Sequence, residues 1–233
     1  MQVYTVSQMR EAERRTETEY GIPLAVLMAN AGKGLARAAL EMLPQPDSVI
    51  AIFCGNGNNG GDGYVCVTEL LRQRKPVAVW GIGAEGLPAG SLVKSAADAY
   101  LAAGGVILPV SPDFKAEDLK CGLIVDALLG TGLGRPVSGL YAQVIRSVNA
   151  ASIPVLSCDL PSGVDADTGQ SIRGDRLRYF QRGGGRNRPF GQCFRRPDSP
   201  FQGRHLKSRP FCLRSGHAIC QFLVNMHHFM NVI

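Results

Sequence analysis

No run of apolar residues in this chain approaches the roughly 18 that a membrane-spanning helix needs, so no membrane segment is expected. The first residues, Met1-Gln2-Val3-Tyr4-Thr5, lack a basic stretch followed by an apolar one, and no secretory signal is read there. Charged residues make up only 19% of the 233, against 45% hydrophobic. That balance belongs to a globular protein and excludes collagen-like, coiled-coil and wholly disordered chains. Paired C-x-x-C spacing is missing. The seven cysteines (54, 66, 121, 158, 193, 212 and 220) are odd in number, and Cys54, Cys66 and Cys158 sit in or beside apolar runs. A reduced, cytoplasmic protein with buried thiols fits this better than a disulfide framework. There is no internal repeat.

Acidic residues are scarce at one end. Residues 1–170 carry 13 Lys+Arg and 17 Asp+Glu, a net of −4, whereas residues 171–233 carry 12 Lys+Arg and 2 Asp, a net of +10. All four histidines and seven of the nine phenylalanines also lie in the second part. The overall +6 therefore describes neither part, and it does not mark the body as a nucleic-acid binder. Two regions are expected: an ordered body over 1–170 and a basic, irregular tail over 171–233.

The body reads as an α/β domain. A charged helix runs from Gln8 to about Tyr20, capped by Ser7 and ended by Gly21; a second spans Leu24–Leu43 with one apolar face. Strands are expected at Val49–Cys54, Val77–Ile82, Val106–Val110, Leu123–Asp126 and Ile153–Cys158. Helices at about 64–74, 91–103 and 138–149 separate them. Continuous apolar runs alternating with helices predict a mostly parallel sheet covered on both faces.

In such a sheet, ligands bind beyond the carboxyl ends of the strands. Three segments with unusual chemistry fall there. The first is Gly55-Asn56-Gly57-Asn58-Asn59-Gly60-Gly61-Asp62-Gly63. Its glycines allow positive φ and close backbone approach, and it feeds a helix start suited to an anion. It contains G-x-G-x-x-G, but no acidic residue closes strand two at Trp80-Gly81, and no Gly-Lys-Ser/Thr makes it a P-loop. Gly32-Lys33-Gly34 lies inside a helix and reads as packing and solvent exposure. The second segment is Asp126-Ala127-Leu128-Leu129-Gly130-Thr131-Gly132-Leu133-Gly134-Arg135-Pro136, an apolar strand ending in a carboxylate and a glycine loop. The third is Asp159-Leu160-Pro161-Ser162-Gly163-Val164-Asp165-Ala166-Asp167-Thr168-Gly169. Its Asp165-x-Asp167 lacks the remaining ligands of a calcium loop and reads as turn chemistry. Convergent carboxylates beside two glycine loops fit a small phosphate-bearing ligand with a cation or a proton transfer.

These three segments, in this order and spacing, resemble the NAD(P)H-hydrate epimerase family, the YjeF N-terminal domain. Leu27-Met28-Ala29-Asn30-Ala31-Gly32 is similar to its N-terminal motif, with Ala29 where an acidic residue is common. The resemblance covers about residues 5–170. It implies a Rossmann-like three-layer α/β/α sandwich and interconversion of the R and S epimers of hydrated NADH and NADPH (NADHX and NADPHX), which carry a hydroxyl at C6 of the reduced nicotinamide. A partner ADP- or ATP-dependent NAD(P)H-hydrate dehydratase then repairs the S form. The resemblance assigns Asn58, Asn59, Gly60, Gly61 and Asp62 to the hydrate, and likewise Gly130, Thr131, Gly132, Leu133, Gly134, Arg135, Pro136 and Asp159. Asn59, Asp126 and Ser162 match potassium-ligand positions, so K+ is the implied cofactor. A homodimer is left open. For the chemistry, C6 bears both a hydroxyl and the ring nitrogen. A carboxylic acid can protonate the leaving hydroxyl while N1 expels it, and water returns on the other face. Asp126 is the first candidate for that acid/base and Asp159 the second; Asp126 cannot be both a tight cation ligand and a free acid.

After Gly169 the sequence departs from the family, which continues with further strands and a Lys-Pro-Gly turn. Residues 171–233 resemble a shifted reading frame or a substituted end, so the last strands are expected to be missing, leaving an edge exposed. A nucleic-acid arm is not expected there, and His205, His217, His227 and His228 with Cys212 and Cys220 match no standard zinc spacing. The alternative to an enzyme is a non-catalytic nucleotide- or protein-binding module of the same fold, inactive through loss of those strands.

Overall fold

The computed structural model describes residues 5–172. The basic tail, with its histidines and last three cysteines, lies outside the described residues.

Five parallel strands form one sheet: β1 (Ile50–Cys54), β2 (Val77–Gly81), β3 (Ile107–Pro109), β4 (Leu123–Ala127) and β5 (Val155–Ser157), in the spatial order β3-β2-β1-β4-β5. The helices are α1 (Val6–Thr18), α2 (Leu24–Met42), α3 (Asn58–Arg72), α4 (Leu92–Ala102) and α5 (Gly139–Ala150). β1, β2 and β3 step outward in one direction; the chain then returns to lay β4 on the other side of β1. The order thus switches direction between β1 and β4, and sheets of this kind bind ligands in the crevice outside the carboxyl ends of the strands at such a point.

The strands are apolar throughout because both faces are covered. Alternate residues point to opposite sides. Ile50, Ile52, Cys54, Leu123, Val125 and Ala127 join Leu35, Ala39, Tyr64, Val67 and Leu70 from α2 and α3 in one core. Ala51, Phe53, Ile124 and Val155 join Val144, Ile145 and Val148 of α5 in the other. Phe53 stacks on Trp80 with ring centroids 5.1 Å apart and meets Phe114 edge-on at 5.4 Å. This is the expected three-layer sandwich. Among the described residues no helix is long and apolar enough to cross a membrane.

Three local expectations are corrected. Thr5, not Ser7, caps α1: its hydroxyl accepts the Gln8 N–H at 3.2 Å, and Gln8 Oε1 accepts the Thr5 N–H at 2.8 Å, a reciprocal capping box. α3 starts at Asn58 rather than about 64, so Asn58 to Asp62 are helical. The glycines of 55–63 are also there for a different reason. None has positive φ. A Cβ on Gly60 would land on the Gly55 carbonyl, and one on Gly63 would lie 2.6 Å from Ala127 Cβ and 2.8 Å from Cys54 Sγ. They let α3 start directly against the sheet edge. Gly32 serves α2 similarly: its Cβ would lie 2.5 Å from Val65 Cβ.

Candidate functional site

Because all strands run the same way, the segments after β1, β4 and β5 gather at one edge. α3 opens at Gly57 with no side-chain cap, leaving its first amides without a side-chain acceptor. Tyr141 of α5 steadies the approach: its hydroxyl accepts the Asn56 N–H at 3.2 Å and donates to Asn56 Oδ1 at 3.1 Å.

Asp126 stands near the end of β4 at 1% exposure. Oδ1 accepts from Ser162 Oγ at 2.6 Å and the Leu128 N–H at 3.2 Å; Oδ2 accepts from the Ser162 N–H at 2.9 Å and Ser157 Oγ at 3.2 Å. The Leu129 N–H donates to Ser162 Oγ at 2.9 Å. Burial raises the Asp126 pKa and these bonds pull against the rise. All four lone-pair directions of the carboxylate are used. Asp126 thus ties the loop after β4 to the loop after β5.

Asp159 follows β5 and is differently placed. Oδ2 accepts the Thr131 N–H at 2.8 Å, while Oδ1 is buried with no partner. Burial is the main cause lifting its pKa from 3.8 to about 6, with the Thr131 amide opposing and Glu13 and Asp126 adding to the rise. Asn59, in the first turn of α3, has both side-chain amide atoms buried and unpartnered. Gly130 lies between them: a Cβ there would sit 2.5 Å from Asp159 Oδ2 and 3.3 Å from Asn59 Cβ. Asn59 Oδ1, Asn59 Nδ2 and Asp159 Oδ1 are thus three buried polar atoms beside Gly130 with no partner in the protein, where a ligand or a water can bond. Asp62, one helical step from Asn59, has its carboxyl pushed well up by burial and then by Asp159 and Glu13.

The other residues singled out in the sequence divide by place. Thr131 supplies the amide to Asp159, and Leu133 N–H closes a turn onto the Gly130 carbonyl at 3.2 Å. Gly132, Gly134, Arg135 and Pro136 are on the exposed part of that loop, and Asn58 is exposed at the helix start. Gly60 and Gly61 are buried in packing, Gly61 against Met28. Asp165 is a turn former, accepting the Thr168 N–H and hydroxyl at 2.7 Å each, and Asp167 Oδ1 accepts the Val6 N–H at 2.8 Å. Sequence reasoning missed Tyr141, Ser157, Cys158 and Glu13. Only Ser157 and Cys158 gave a signal, as neighbours of Asp159 at a strand end.

Among the described residues no three His, Cys, Asp or Glu side chains cluster for a metal ion. The donors at Asn59, Asp126 and Ser162 are all oxygens, which suits a hard, weakly held cation. The Asn59 amide oxygen has no partner in the protein and is free to accept such an ion. Asp126 would have to exchange one of its two 3.2 Å bonds to reach it.

The fold is that of a doubly wound α/β protein, a class that binds ligands at the topological switch of its sheet. The family model described as "YjeF-related protein N-terminus" matches residues 24–175, and the chain belongs to that family. It is 37% identical over 170 residues to the NAD(P)H-hydrate epimerase of Limosilactobacillus fermentum, covering 72% of this chain and 78% of that protein. It is 39% identical over 177 residues to the bifunctional NAD(P)H-hydrate repair enzyme Nnr of Thermofilum pendens, covering 74% of this chain but 33% of that protein. The chain thus spans about a third of the length of its bifunctional relatives. A yeast crystal structure (ynu0, YNL200c) shares the fold with a TM-score of 0.64 at 22% identity, over 75% of this chain and 76% of that one.

Proposed function

We propose that this site epimerises hydrated NADH and NADPH, inverting the hydroxyl at C6; relatives of the chain are named NAD(P)H-hydrate epimerase. The observation that carries this reading is the set of buried, unpartnered polar atoms, Asp159 Oδ1 and the Asn59 amide, at the switch point of a chain in this family. The existence of bifunctional relatives supports a functional link to a dehydratase acting on the same hydrates.

The acid/base is Asp159. Its Oδ1 has no partner in the protein and burial lifts its pKa to about 6, so it holds or gives up a proton near neutral pH. Asp126, the first candidate by sequence, is saturated by hydrogen bonds and serves to hold the two loops. Protonation of the leaving hydroxyl lets the N1 lone pair form a C=N bond to C6 as water departs. Water adding to the other face gives the opposite epimer. Asn59 hydrogen-bonds the bound hydrate and, with Asp126 and Ser162, is the position for a potassium ion, which would add positive charge beside an anionic substrate.

Purified full-length chain given the separated R hydrate of NADH, with and without potassium, should form the S hydrate faster than the spontaneous rate. A folded, monodisperse sample that leaves the rate at the spontaneous value would overturn the enzyme reading and favour a binding module.

A further inference from the structure

Two half-buried carboxyls, Asp62 on α3 and Asp159 after β5, lie near each other on different elements. Asn59 and Asp62 are three apart on α3 and share its surface. Asp62 Oδ2 lies 4.0 Å from Cys158 Sγ, and Cys158 precedes Asp159 directly. This contact brings the Asp62 side of α3 against the loop that carries Asp159.

A carboxyl buried for structural reasons is surrounded by donors, as Asp126 is. Asp62 is not. Among the described residues its one polar contact is the Cys158 thiol, and it has no ion-pair partner. The charged and titratable groups near it are Asp159, Cys158, Cys66 and Glu13 of α1, none of them cationic. Burial keeps the Cys158 thiol protonated, so it is a weak donor and not a counter-ion. Among the described residues no cation pairs with the Asp62 carboxyl, and no donor other than the Cys158 thiol reaches it.

We propose that Asp62 is a second catalytic residue, the proton carrier on the side of C6 opposite Asp159. This rests on the epimerase reading. Inversion at C6 expels water from one face and admits it on the other, so one carboxyl cannot serve both faces without turning the substrate. With Asp62 protonated and Asp159 ionised, the Asp62 proton passes to the C6 hydroxyl. The C6–O bond breaks, the N1 lone pair forms the C6=N1 bond, and water leaves. A water on the far face bonds to C6 as the C6=N1 pair returns to N1, and its proton passes to Asp159. One water leaves, one enters, and one proton has moved from Asp62 to Asp159. The reverse reaction returns it, and proton exchange between the two carboxyls resets the pair for another forward turnover.

The test uses full-length Asp62→Asn and Asp62→Glu proteins, assayed from the R and from the S hydrate of NADH. Asp62→Asn should lower kcat by about 100-fold or more in both directions with KM within about threefold of the parent. Asp62→Glu, which keeps a carboxyl, should retain at least about tenfold more kcat than Asp62→Asn. Circular dichroism establishes folding, and if Asp62→Asn does not fold, Asp62→Ser takes its place with the same expected loss. A kcat within threefold of an active parent, or a loss confined to KM, would overturn the role of Asp62 and leave the epimerase reading standing. A parent with no activity above the spontaneous rate overturns both.

Discussion

Replacing Asp159 by Asn should make the protein more stable while removing its acid/base. The ordinary value of 3.8 is raised to about 6 at this position, chiefly because burial disfavours the charged form. Between those pH values the folded protein holds a proton that the unfolded chain has released. Stability therefore falls as pH rises through that window and stays lowered above it. Holding the ionised carboxylate at neutral pH costs the folded state about 3 kcal/mol. Asn keeps the acceptor for the Thr131 N–H, whose 2.8 Å bond is the side chain's one tie to the protein backbone. Asp159→Asn should thus gain about 2–3 kcal/mol at pH 7.5, a rise in Tm of about 5–10 °C, and the gain should vanish towards pH 4. Urea unfolding followed by the single tryptophan, Trp80, which stacks on buried Phe53, reads this directly. A variant no more stable than the parent at pH 7.5, or a gain independent of pH, would refute the reasoning.

Gly60→Ala should cost at least about 1–3 kcal/mol, because its Cβ meets the Gly55 carbonyl and backbone cannot swing away, whereas Gly57→Ala, with open space around it, should melt like the parent. Ser162→Ala removes the 2.6 Å bond to Asp126 and strands the Leu129 amide; thermal melts should show a loss of about 1–3 kcal/mol, and the rate should fall as the two loops part. Asn59→Ala deletes buried polar atoms that have no partner in the protein. Its ligand-free Tm should equal or exceed the parent's, while affinity for the hydrate, measured by calorimetry, should weaken by about 10-fold or more.

The sheet was legible in the sequence because each inner strand is a continuous apolar run, and Val77–Gly81 and Leu123–Ala127 fall within a residue of their expected ends. The start of α3 was not. Asn and Gly disfavour helix when exposed, and here close packing on the sheet overrides that preference. The composition of Gly55 to Gly63 marked a special segment correctly but suggested conformational freedom, whereas those glycines are required by contact distance. At the site, strand-end carboxylates were readable as residue types. Their division of labour was not. Asp126 and Asp159 each end an apolar strand, and only the positions of Ser157, Ser162 and Leu128 in space show that one carboxylate is saturated and the other is not. The partnership of Cys158 with Asp62, 96 residues apart, has no trace in local sequence.

The most direct test of the account is the epimerisation rate of Asp159→Asn from the R hydrate of NADH, beside the parent. A folded variant with kcat lowered by about 100-fold or more is the predicted result. A variant that inverts C6 at the parent's rate would contradict it and return the acid/base role to another group in the crevice.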